Sequence, residues 1–271
     1  MLETEVRALS QQPMASLDNY ALMLGGITLM HRATPEAFHS SRQALDALLE
    51  KDPQLLTAHA WLAKWHVLRV TRGLTDAPAA DAQQALTHAR AAQQAAGARS
   101  LGLAMEGFAQ LHLLRDFDSA LRHIEQACAH NPSEPLAWLF GGVAHSFMNP
   151  PAPAQHASQR ALALSPLDPL LYYFESLAAS SAIVAGRYDE AIALCQRSLR
   201  RNLTHLHTHR ALVTALHASG QHTQARQAAQ RLLALAPGDT VAAFRRGAAS
   251  ADTAFGQHMA EALLASGIPP G

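Results

Sequence analysis

The feature that most constrains this chain is a short block of residues that recurs at a fixed distance from a helix-stopping proline. Arg115-Asp116-Phe117-Asp118-Ser119-Ala120 leads to Ala127 and then Asn131-Pro132. Gly186-Arg187-Tyr188-Asp189-Glu190-Ala191 leads to Ser198, and Gly220-Gln221-His222-Thr223-Gln224-Ala225 leads to Pro237. Ala120 precedes Pro132 by twelve residues, as Ala154 precedes Pro166 and Ala225 precedes Pro237, and Pro132 and Pro166 stand 34 apart. A self-similar period of this length belongs to solenoids of stacked helix pairs.

Each unit reads as helix A, a tight turn and helix B. The proline ends one helix B, because it lacks an N–H and biases its predecessor away from the helical region. The Gly-x-aromatic-x-x-Ala block is the A-to-B turn. Its glycine supplies a left-handed cap and its aromatic residue wedges between the two helices. Gly141 and Gly142 in an A helix, and Ala120, Ala127, Ala154 and Ala161 in B helices, let neighbouring helices approach closely. Trp138 supplies the large apolar residue four positions before Gly142. The pattern is strongest over 101–237, where the chain resembles the tetratricopeptide repeat (TPR) family. That resemblance implies an all-α fold, a right-handed TPR-like helical-hairpin solenoid with a C-terminal capping helix, and function by binding other proteins.

In this register fourteen helices are expected, at about 17–32, 35–51, 54–73, 78–96, 99–114, 117–131, 134–148, 152–165, 168–185, 187–201, 204–219, 221–236, 239–248 and 251–266. They pair as 17–53, 54–97, 98–132, 133–166, 167–203 and 204–237, with a cap over 238–271 and a lead-in over 1–16. Two departures stand out. Asn149-Pro150-Pro151-Ala152-Pro153 replaces the Gly-x-aromatic turn, and its prolines can open a helix B, since proline is tolerated in a first turn. Counting from Pro166 and from Tyr188 disagrees by three residues, which predicts almost one extra turn in the helix near 168–185. Glu175 then falls either at a packing position or on the groove face. The cap should seal the last unit with Met259, Leu263 and Leu264, so deleting 251–271 is expected to cause aggregation.

Composition agrees with packed helices. Hydrophobic residues are 49% of the 271 but aromatics only 6%. Much of the remainder is alanine, a strong helix former with a small side chain. Lys+Arg and Asp+Glu both number 21, so the chain lacks the cationic excess that phosphate-backbone binding draws on. Nucleic acid is therefore not an expected direct partner. No apolar stretch approaches a membrane span. Nor does an apolar segment follow the acidic start Met1-Leu2-Glu3-Thr4-Glu5, so no secretory signal and a cytoplasmic protein are expected. Cys128 and Cys195 fall on B helices two units apart, too far for a disulfide, and should be reduced, mostly buried thiols.

Candidate functional residues come from placing A helices on the concave side. Leu136, Leu139, Val143 and Phe147, then Leu170, Tyr173 and Leu177, then His207, Arg210, Thr214 and His217 share one face of successive A helices. The inner wall thus runs from apolar to basic. It suits a protein or peptide partner with an apolar anchor and an acidic end. The other readings are that the chain's own C-terminal helix packs over these residues, or that they have no specific role. In the first case Arg210→Glu weakens partner binding without unfolding the chain. His205 and His209 have i, i+4 spacing, but no acidic or cysteine ligand stands beside them, and a zinc site needs three or four convergent ligands. No metal, cofactor or catalytic residue is expected, and the chain reads as a non-enzyme. His66, His112 and His145 read as core histidines on A helices.

Longer phrases carry a narrower resemblance. The segments at 17–26 (LDNYALMLGG), 32–37 (RATPEA), 61–73 (WLAKWHVLRVTRG), 164–174 (LSPLDPLLYYF) and 261–269 (EALLASGIP) resemble the C-terminal TPR half of bacterial signalling proteins. The N-terminal half of those proteins is a class III adenylate/guanylate cyclase or a winged-helix DNA-binding domain. The resemblance implies a regulatory role in signalling or transcription. The alternative is a ligand-sensing module coupled to such an output domain.

Overall fold

The computed structural model describes residues 16–32 and 34–271; the lead-in expected over 1–16 lies outside them except for its last residue. Fourteen α-helices and no strand are present among the described residues. They are α1 (Asn19–Met30), α2 (Pro35–Lys51), α3 (Thr57–Thr71), α4 (Pro78–Ala92), α5 (Arg99–Ala109), α6 (Phe117–His130) and α7 (Pro135–Met148). The second half holds α8 (Pro151–Leu164), α9 (Leu171–Val184), α10 (Tyr188–Arg201), α11 (Leu206–Ala218), α12 (His222–Leu235), α13 (Val241–Gly247) and α14 (Ala254–Ala265). The fold is all-α, as the 34-residue rhythm requires.

Local chemistry sets the boundaries. Asp18, Thr34, Asp116, Thr240 and Thr253 each accept a backbone N–H from their helix's first turn, which satisfies one of the donors left free there. At the A-to-B turns Gly186 and Gly220 take φ of +69° and +79°, the left-handed conformation that costs glycine least. The proline-rich turn reaches the same geometry by other means. Asn149 adopts φ +68° and Pro151 occupies the first turn of α8. A π turn over Gln110–Leu114 extends α5, and Arg115 leaves it in the left-handed region at φ +55°.

Small residues bring A and B together. A Cβ on Gly142 would lie 2.3 Å from Ser158 Oγ and 3.3 Å from the Ala154 carbonyl oxygen, and one on Gly107 would lie 2.8 Å from the Ala120 carbonyl oxygen. The extra turn expected near 168–185 is not formed. α9 has 14 residues, the same as α7. The surplus is taken up in the linker 165–170, where Pro166 and Pro169 withhold backbone donors and the Asp168 carboxylate accepts from Leu170 N at 2.7 Å.

Successive A helices (α3, α5, α7, α9, α11) touch one another, and the B helices pack chiefly against A helices. The A helices therefore line the inside of the curl. One apolar core runs from α3 to the C-terminal tail, ending on Ile268. The first pair instead packs on α3 through two small clusters, one around Leu22, Leu48 and Ala58 and one around Met30, Phe38 and Trp65. The first and last of the described helices turn inward. α14 packs on α11 and reaches α7. At the other end His31, just after α1, meets Tyr172 and Tyr173 of α9. No helix among the described residues is long and apolar enough to cross a membrane.

Candidate functional site

The inner wall is covered by the chain itself. Leu136, Leu139, Val143, Phe147, Leu170, Tyr173 and Thr214 are buried, and Leu177, His207, Arg210 and His217 are half-buried. The Phe147 ring stacks on Phe255 of α14 with centroids 6.3 Å apart. Met259 and Leu263 follow Phe255 at four-residue steps, so the three share one face of α14, and all are buried. The expected inward set needs one correction: Leu264 is 52% exposed, and Phe255 does the packing assigned to it. Among the described residues, then, the wall does not stand open.

Its basic end is likewise engaged within the chain. Arg210 forks onto Asp239, just before α13, with Nε donating to Oδ2 at 3.1 Å and the second nitrogen to Oδ1. Its guanidinium also lies 5.9 Å from the Phe244 ring centroid. Asp239 is only 6% exposed. Arg210→Glu would therefore set a second carboxylate against a buried one, and its effect could not be confined to partner binding. The Thr214 hydroxyl donates to the Arg210 carbonyl at 2.9 Å. His217 packs on the His222 ring, and the charge of His258 on α14 is felt there.

The histidine group 205–209 is divided among separate tasks. His205 Nδ1 pairs with Thr208 Oγ1 at 2.7 Å, His209 Nε2 donates to the Leu203 carbonyl at 2.9 Å, and His207 Nε2 pairs with Ser180 Oγ at 3.2 Å. Burial pushes His205 down to about 3 and His207 to about 4, helped by neighbouring positive charge, so both are neutral at physiological pH. His112 is also held near 3 by burial, between the Phe108 and Phe147 rings. His66 is not a simple backbone-bonded core histidine: it joins Asp81 at 2.6 Å and Arg42 at 2.9 Å.

Glu175 is a packing residue. It is buried, and Arg197 of its own helix B donates to it at 2.9 Å. Glu106 is held in the same way by Arg90 and Gln93 of α4 and its C-terminal cap, at 2.9 and 2.7 Å. Cys195 is buried and Cys128 half-buried, both unpaired. Burial raises both thiols above their ordinary value, Cys128 to about 11, which leaves little reactive thiolate.

The sequence reading passed over two residues that the fold singles out, Lys64 and His31. Lys64 is wholly buried on α3, with its ammonium over the rings of Tyr173 (4.4 Å), Trp61 (5.3 Å) and Phe140 (5.9 Å). The available signal was its setting. It is one of two lysines in the chain, lying between Trp61 and Trp65 in an apolar helix.

Residues 182–246 match the tetratricopeptide repeat family model. The fold is a tetratricopeptide solenoid. TTC0263, a thermophilic TPR protein of Thermus thermophilus, is similar with a TM-score of 0.54 at 20% identity, over 73% of this chain and 99% of that one. A chain of the APC/C hetero-tetramer Cut9–Hcn1 gives 0.60 at 14% identity. That match covers 97% of this chain but 45% of the other, so this chain spans less than half its length. At such identities the likeness speaks for the fold alone. No curated protein matches the sequence. The cyclase and winged-helix resemblance receives no support from these comparisons.

Proposed function

We propose that this chain is a non-enzymatic TPR scaffold that binds a helical segment of a protein partner on the inner wall of α7, α9 and α11. The observation that carries this reading is α14. It lies against α11 and α7 with Phe255, Met259 and Leu263 on one face, the spacing of helix-in-groove recognition. A wall that holds one amphipathic helix in this way suits another, and α14 is the occupant a partner helix would replace. The contacts would then come from Leu136, Leu139, Val143 and Phe147, from Leu170, Tyr173 and Leu177, and from His207, Arg210, Thr214 and His217. A regulatory place in a bacterial signalling or transcriptional system rests on the phrase resemblance at 17–26, 61–73 and 164–174.

The test is a labelled peptide of residues 251–268 titrated against the full chain and against its Phe255→Asp variant, with circular dichroism to confirm that helix content is kept. Loosening α14 should free the wall, so the variant binds the peptide at least about tenfold more tightly, near 1.4 kcal/mol. No saturable binding to a folded variant would end the reading.

A second reading, the ligand-sensing module coupled to a cyclase or winged-helix output, is favoured by one observation. Ionisable groups gather around Lys64 and His31, where the first pair meets α9.

A further inference from the structure

Two polar atoms at one junction are buried and make no hydrogen bond: Lys64 Nζ and His31 Nε2. They belong to different units but meet the same ring. Lys64 Nζ lies 4.4 Å from the Tyr173 centroid, and the His31 ring stands edge-on to Tyr173 at 5.2 Å. His205 stands edge-on to Tyr172 and Tyr173 at 5.3 and 6.1 Å. The Tyr172 hydroxyl donates to the His31 carbonyl at 3.5 Å, and neither orphan makes a hydrogen bond to its oxygen. Arg72 adds a fixed positive charge that both Lys64 and His31 feel, and the one nearby carboxylate, Asp168, is half-buried in the linker before α9.

Basic groups thus outnumber acidic ones where the first pair seals against the fifth unit. Aromatic faces offset part of the cost of a buried ammonium. They supply no hydrogen-bond acceptor, and a buried charge needs one. Each orphan can donate: the ammonium has three N–H groups, and neutral imidazole has one on either nitrogen according to tautomer. What the junction lacks is a compact group that is both an acceptor and negative.

We propose that this junction is the binding site of a small oxyanion, a short carboxylate or an inorganic anion of similar size, which accepts from Lys64 Nζ and His31 Nε2. Such an anion ties the end of α1 to α3 beside the Tyr173 ring of α9. Because both orphans are covered in the closed form, the anion enters when α1 and α2 loosen from α9. The site shares the Tyr173 ring with the proposed wall, but its donors, Lys64 and His31, lie outside the wall and do not depend on a partner helix, so either reading can fail alone.

The test is calorimetric titration of the full chain at constant ionic strength with sodium acetate, bicarbonate and phosphate, and with chloride as control. The variants Lys64→Met and His31→Leu are titrated alongside. At least one oxyanion should bind saturably at one site, and both variants should weaken it about tenfold or more. The responding probe separates a carboxylate from a carbonate or phosphate ligand. Amide hydrogen exchange in α1 and α2 should slow when it binds. Lys64 is held at about 7 by burial, so affinity should rise as the pH is lowered from about 8 to 6 and the ammonium forms. The groups facing it are His31, His205, Arg72, Asp168, Tyr172 and Tyr173. His31 and His205 are held below that window, and Tyr172 and Tyr173 above it. Absence of saturable binding by any of the three oxyanions to the unaltered chain overturns the proposal. So does an equal response to chloride, an undiminished affinity in Lys64→Met, or an affinity that falls on acidification.

Discussion

The first pair of helices and α14 both turn into the inside of the curl, but by opposite chemistry. The C-terminal end docks chiefly by dry packing. Phe255, Met259 and Leu263 of α14 join the continuous core, the charge of His258 is felt at His217, and the Arg115–Asp252 ion pair lies at the surface. The first pair docks through polar and aromatic groups. His31 and Lys64 meet Tyr172 and Tyr173, and small clusters shared with α3 take the place of the continuous core. An apolar contact is insensitive to pH and loses strength chiefly through loss of area. A junction of buried basic groups is sensitive to protons and to anions. The solenoid thus has one end fixed by packing and one end whose closure depends on what surrounds it.

The largest expected effect breaks the dry end. Met259 is fully buried, and Met259→Asp sets an unpaired carboxylate in apolar packing at a cost of about 5 kcal/mol. Chemical denaturation should show that loss, with aggregation at high concentration as α14 detaches. A stable, monomeric variant would mean that α14 does not hold the wall.

Two smaller effects probe the polar end. Replacing the buried, unpaired ammonium by Lys64→Met should raise stability at pH 7 by about 3 kcal/mol, as replacing buried ionic groups with apolar ones often does. Lys64 falls from 10.5 to about 7 on folding. Between those values the unfolded chain binds the extra proton, so the unaltered chain gains stability as the pH is raised through that window. The advantage of Lys64→Met should therefore shrink towards pH 10. An advantage that stays constant would show that the amine is not titrating in the fold.

Acid acts on the same junction through His31 and His205. Both are lowered from 6.5 by burial, so the unfolded chain takes up their protons first and stability is lost as the pH falls below 6.5. Each therefore contributes to the loss of stability on acidification. The stability lost between pH 7.5 and 5.5 should shrink in a His31→Leu, His205→Leu double variant, by at least the share of His205, about 1 kcal/mol. An unchanged acid loss would place the sensitivity elsewhere, at His112 or His207.

The repeat was legible because it is written in residues with one physical role. Gly186, Gly220 and Pro237 punctuate, Ala120 and Gly142 allow close approach, and the helix ends follow to within a few residues. The inner wall was legible only as a face. Sequence spacing placed Leu139, Val143 and Phe147 together, but it could not show that Phe255 covers Phe147 or that Asp239 holds Arg210, since those contacts join units far apart along the chain. Lys64 was missed because burial, not residue type, makes it unusual. The surplus residues before α9 were misplaced because the expectation weighed the count and not the two linker prolines.

The smallest expected effect tests which way α14 faces. Leu263 and Leu264 are adjacent, so a helix turns them about 100° apart and only one can face the wall. Leu263 is 1% exposed and Leu264 is 52%. Leu264→Ser should change stability by no more than about 0.5 kcal/mol, as a surface substitution does, whereas Leu263→Ser should cost about 3 kcal/mol through lost burial and the cavity left behind. The same asymmetry should appear in trans. A labelled 251–268 peptide carrying the serine at 264 should bind the loosened Phe255→Asp chain like the parent peptide, and one carrying it at 263 should not. Equal effects at the two positions would mean that α14 is held by generic apolar association. The wall would then lack the register needed to select a partner helix, and the dry end would be no more specific than the polar one.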